Sequence, residues 1–74
     1  MNKTQQRNDE IIRKIADRLK NIRNGKGITQ LSVYKQTDQT IGRIEAAQSN
    51  ITICTLEKLC LFYGVSLKDF FKGM

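Results

Sequence analysis

The amino-acid sequence predicts an all-α fold, a compact bundle of five short helices forming a single domain over 1–74. Three observations lead there. The 74-residue chain holds no proline and five glycines, so little in it interrupts helices. Its apolar residues recur three and four apart rather than in alternation. A residue able to cap a helix stands before most of the apolar runs, at Asn8, Thr29, Thr52 and Ser66.

Residues 1–8 are polar and are expected to form a flexible arm. Asn8 then opens helix one, expected from about residue 9 to 24, with Asp9 and Glu10 in its first turn. Ile11, Ile15, Leu19 and Ile22 lay an apolar stripe along it, widened by Ile12 and Ala16. Gly25 and Gly27 stop it, with Arg23 and Lys26 at the negative end of the dipole. Thr29 opens a short helix two carrying Leu31, Val33 and Tyr34, and the polar run Thr37-Asp38-Gln39-Thr40 is able to turn.

A third helix is expected from about Gln39 to Ala47, turning Ile41 and Ile44 inward, with 48–50 as a loop. Thr52 caps helix four, whose inner side is read as Ile53, Leu56, Leu59, Cys60 and Tyr63, and Gly64 closes it. Ser66, with Asp69 three residues on, opens a last turn or two holding Leu67, Phe70 and Phe71.

Composition narrows the function classes. No apolar run approaches the ~20 residues that span a membrane, and Met1 to Glu10 lack the apolar stretch of a signal peptide. A cytoplasmic protein without a membrane partner is expected. The chain has no histidine and two cysteines, Cys54 and Cys60, outside any Cys-x-x-Cys spacing, so neither a metal site nor a cofactor is expected. Six residues along one helix is about 9 Å, beyond the ~7 Å limit for a disulfide, so both are read as reduced, partly buried thiols. No acid pair at a recognisable spacing suggests an enzyme. The net charge of +6 is one-sided: residues 1–35 hold nine Lys/Arg against three acids, while 36–74 hold four of each. Such an excess suits a polyanionic partner.

Five fragments then follow in order: Arg18-Leu19-Lys20-Asn21-Ile22-Arg23, Gly27-Ile28-Thr29-Gln30, Ile41-Gly42-Arg43-Ile44-Glu45, Thr55-Leu56-Glu57-Lys58-Leu59 and Gly64-Val65-Ser66-Leu67. Together they resemble the phage-repressor (Cro-like, xenobiotic-response-element) helix-turn-helix family over roughly residues 13–71. The resemblance implies a DNA-binding domain in which helix three enters the major groove and helix two crosses the phosphate backbone. It places Gln30 on a phosphate, and Gln39, Thr40 and Arg43 at or near base edges. Asn50, in the loop behind helix three, completes the candidate DNA contacts. Arg23 and Glu45 match a structural ion pair tying helix one to the end of helix three.

One departure stands out. Thr29 to Glu45 spans 17 residues, about three fewer than the usual run of such helix-turn-helix pairs, and Thr37-Asp38-Gln39 replaces the family's Gly-hydrophobic-Ser/Thr turn. The missing turn must shorten helix two, the connection, or the first turn of helix three. Gly42, within a short helix, points to close approach of a backbone, either helix two or DNA.

The leading expectation is a sequence-specific transcriptional regulator, a repressor, acting on double-stranded DNA. The alternative is a protein-interaction module, or the antitoxin of a toxin–antitoxin pair, that keeps the fold with weakened base reading. Arg43 is the only cation between Gln36 and Lys58, which favours the alternative. Leu61, Phe62, Phe70, Phe71 and Met74 are expected to serve a homodimer interface or extra core packing.

Overall fold

A computed structural model describes residues 8–74, and among them all regular structure is helical. Five helices follow one another: α1 (Asp9–Gly25), α2 (Gln30–Thr37), α3 (Ile41–Glu45), α4 (Ile53–Tyr63) and α5 (Leu67–Phe70). The arm expected over 1–8 lies, apart from Asn8, outside the described residues.

Each expected cap is made. Asn8 Oδ1 accepts from the Ile11 amide, Thr29 Oγ1 from Ser32, Thr52 Oγ1 from Thr55 and Ser66 Oγ from Asp69, at 3.0–3.2 Å. Such caps satisfy donors that the first turn of a helix leaves without partners. The far ends close through left-handed residues. After α1, Gly27 (φ 68°) lets its amide reach Asn24 O and the Ile28 amide reach Arg23 O. Gly64 (φ 77°) does the same after α4, with Val65 donating to Cys60 O and Gly64 to Leu61 O.

The core gathers Leu19, Val33, Ile41, Ile44, Leu56, Leu59, Cys60, Tyr63 and Phe70 from all five helices. α1 packs on α3, α2 on both α3 and α4, and α4 on α5. Arg18 fastens the last element: its Nη1 donates to Phe70 O and Lys72 O at 2.9 and 3.2 Å, giving the end of α5 a cationic cap. That arginine thus serves the fold.

Four expectations need correction. The innermost row of α1 is Ile12, Ala16, Leu19 and Arg23; Ile15 and Ile22 flank it, and Ile11 is exposed. Burial of Arg23 against Glu45 sets that rotation. Ile53, expected inward, is 66% exposed because it begins α4 ahead of the core. Cys54 is exposed and Cys60 is buried, on different faces of α4. Helix three, expected over 39–47, spans only Ile41–Glu45. At its start the Gln39 amide is held by Thr37 Oγ1 at 3.3 Å; at its end Ala47 turns left-handed (φ 59°), and Gln48 donates to Arg43 O.

Of the five C-terminal apolar residues, Phe70 is in the core and Phe62 and Met74 pack against it, while Leu61 and Phe71 are exposed. Among the described residues no helix is long and apolar enough to cross a membrane.

Ala47 carries a Cβ where glycine is favoured. A left-handed conformation costs an L-residue about 1–2 kcal/mol, partly offset by the unfolded-state freedom that glycine adds. Ala47→Gly should therefore raise the unfolding free energy by about 0.5–1 kcal/mol in urea titration. A loss of stability would show that the residue is not left-handed.

Candidate nucleic-acid interface

The α2–turn–α3 segment is short throughout. α2 keeps eight residues, the connection is Asp38-Gln39-Thr40, and α3 has five. α3 is the shorter of the two helices of the motif and starts two residues later than expected. Asp38 takes the left-handed position (φ 61°), its amide bonded to Tyr34 O at 2.8 Å. Aspartate tolerates that region better than most residues. Thr37 holds the turn from inside: its buried hydroxyl donates to Val33 O at 2.8 Å and accepts from Gln39.

α3 is positioned by charge. Arg23 Nε and Nη2 grip Glu45 Oε2 and Oε1 at 2.6 and 2.9 Å, a bidentate pair whose side chains are 11% and 3% exposed. The third guanidinium nitrogen, Nη1, donates to Ile28 O at 2.8 Å, so the same arginine braces the α1–α2 link. The hydrogen bond to Glu45 raises the Arg23 pKa further above its ordinary value, against the opposing pull of burial. Beneath the pair, burial and then the Glu45 charge push the Tyr63 hydroxyl up to about 12, and Arg23 opposes that shift. Tyr63 Oη has no hydrogen-bond partner among the described residues.

Gln30 joins this cluster at 3.0 Å, its amide nitrogen donating to Glu45 Oε1. A carboxylate only accepts, so the amide group must turn its NH₂ toward it and keeps its second proton for another acceptor. Gln30 is otherwise exposed at the start of α2. A Cβ placed on Gly42 would lie 3.5 Å from Gln30 Oε1, an ordinary contact. α2 therefore does not require glycine at 42.

Gln39, Thr40, Arg43 and Asn50 line one open groove of about 310 Å³, together with Ile44, Ser49, Ile51, Thr52 and Thr55. Arg43, Thr40 and Asn50 are exposed, and Gln39 is half-buried with Nε2 3.5 Å from Thr37 O. Four of the five candidate DNA contacts thus share one surface, while Gln30 sits with the ion pair at the head of α2. The hydroxyl wall from Ser49, Thr52 and Thr55 was not foreseen. Thr52 was read only as a cap, and proximity across the 48–52 loop carries no local signal.

A family model described as helix-turn-helix matches residues 19–70. The chain belongs to the helix-turn-helix family, of the Cro-like, phage-repressor type. No curated protein and no solved structure gives a significant match. In this helix-turn-helix protein α2 and α3 form the motif, and membership makes DNA binding the business of the fold. Within the basic N-terminal half, Arg18 and Arg23 are engaged inside the protein, Arg23 in the expected structural pair, and Lys14 sits 3.5 Å from Glu10 in an exposed pair worth little. Arg13, Lys20, Lys26, Lys35 and Arg43 are exposed.

Removing Glu45 would leave Arg23 buried without its counter-ion. Glu45→Ala should lower the unfolding free energy by about 3 kcal/mol, and a double-mutant cycle with Arg23→Ala should show coupling well above about 0.5 kcal/mol. Additive losses would mean that the two side chains do not meet in solution.

Proposed function

We propose that this helix-turn-helix protein is a sequence-specific transcriptional regulator of double-stranded DNA, a repressor that works as a homodimer in the cytoplasm. The carrying observation is the convergence of Gln39, Thr40, Arg43 and Asn50 on one groove beside α3. In this reading the turn and the first residues of α3 enter the major groove. Arg43 offers two donors to guanine, Gln39 suits the donor–acceptor edge of adenine, and Thr40 meets a thymine methyl. Gln30, its amide oriented by Glu45, gives its remaining proton to a phosphate. Asn50 reaches the backbone beside the groove. Repression follows from occupancy, since a protein seated on an operator excludes others from the same base pairs.

A second reading keeps the fold for protein contact, including the antitoxin role. The five-residue α3 favours it, because Arg43 is the only cation that helix presents.

The two readings part in binding experiments. Duplex affinity should fall steeply with salt, the log–log slope being about −0.9 per phosphate contact. Arg43→Ala should cost about 1–3 kcal/mol on the preferred sequence and relax selectivity at one base position. Gln30→Ala should weaken all duplexes alike, because a phosphate carries no base identity. A flat salt response with neither variant affecting binding would favour the protein-contact reading.

A further inference from the structure

The fold itself gives no reason for glycine at position 42. Of the five glycines, Gly27, Gly64 and Gly73 take positive φ and Gly25 ends α1, which leaves Gly42 as the one glycine inside a helix. Its φ is not among the positive ones, so other residues could hold its conformation. Space does not forbid a side chain either. Outside its own helix and chain neighbours, the one atom among the described residues within 4 Å of an added Cβ is Gln30 Oε1, at 3.5 Å. That atom ends a flexible side chain and can move. Yet α3 has only five residues, and glycine weakens a helix more than any residue but proline.

We propose that Gly42 is the point at which the backbone of α3 lies directly against the duplex, too close for a β-carbon. The inference rests on the DNA-binding reading above and adds a residue to it. Its first support is position. Ile41, Ile44 and Glu45 are buried, so Gly42 and Arg43 are the outward positions of α3. Gly42 stands on the Gln30 side, and Arg43 turns into the groove with Gln39, Thr40 and Asn50. A duplex that meets Gln30 and the groove together therefore passes over Gly42.

Reach is the second support. Thr40 has a short side chain and Gln39 is half-buried, so both touch base edges only if the backbone that carries them is seated deep in the major groove. Close approach of a backbone to a ligand calls for glycine even where the dihedral angles are ordinary. Glycine at 42 thus serves binding and weakens the helix that carries it.

Gly42→Ala sets stability and binding against each other. The better helix former should raise Tm by roughly 2–8 °C. Duplex affinity should fall at least about tenfold, because the added methyl group has no room at the contact. A residue that serves folding alone would not gain stability and lose binding together. The same substitution in a Gln30→Ala background separates contact with DNA from displacement of Gln30 Oε1. There the further loss should again be at least about tenfold, measured at low salt, where binding is strongest. The proposal is overturned if Gly42→Ala binds the duplex as tightly as the wild type, if its loss vanishes once Gln30 is replaced, or if Tm falls along with affinity. A wild-type chain that binds no duplex removes the DNA-binding reading and this contact with it; a wild type that binds, matched by Gly42→Ala, overturns the contact alone.

Discussion

The bidentate contact between Arg23 and Glu45 is what allows a helix of five residues to stand at a set angle on this domain. Isolated helices shorter than ~12–15 residues are marginal in water, and α3 adds an internal glycine, no side-chain cap at Thr40 and a left-handed alanine just beyond its end. Burial of Ile41 and Ile44 supplies apolar contact, but that contact is non-directional. The arginine fixes direction because one guanidinium holds three points at once: both oxygens of Glu45 and the carbonyl of Ile28. Gln30, on the same carboxylate, brings the head of α2 into the same cluster. Three helices thus meet at one buried charge pair, and the orientation of α3 follows from it.

The shortened motif leaves most of the candidate reading residues off the helix. With α3 beginning at Ile41, Gln39 and Thr40 are turn residues: Gln39 is held by Thr37, and the Thr40 carbonyl accepts from the Ile44 amide. Arg43 is the one long side chain that α3 itself presents beside them. The groove also takes in Asn50, Ser49, Thr52 and Thr55 from the next connection and helix. A reading surface assembled from two turns and a short helix depends more on its supports than one carried by a full-length helix.

The local physics was legible in the sequence. Asn8, Thr29, Thr52 and Ser66 cap as expected because capping is decided within three residues. The family fragments located Arg23 and Glu45, although 22 residues separate them. Where tertiary geometry decided the outcome, the pattern was insufficient. The isoleucines of α1 define a broad stripe but not its rotation, which the buried arginine settles toward Ile12 and Ala16. Ile53 follows the inward spacing of α4 yet lies beyond the end of the core. Cys54 and Cys60 looked alike in sequence, and only the packing of α4 separates an exposed thiol from a buried one. The bounds of α3 were set by a threonine hydroxyl and a left-handed alanine, neither of which apolar spacing records. The groove itself was invisible, since its walls come from segments that meet only in the folded chain.

The central claim is that this abbreviated element still distinguishes one base sequence from another. Selection of binders from a random duplex pool by the purified, folded protein tests it most directly. The account predicts that successive rounds converge on a short consensus, the mark of side chains meeting base edges. A pool that stays indistinguishable from the starting mixture, with the protein folded throughout, would contradict it.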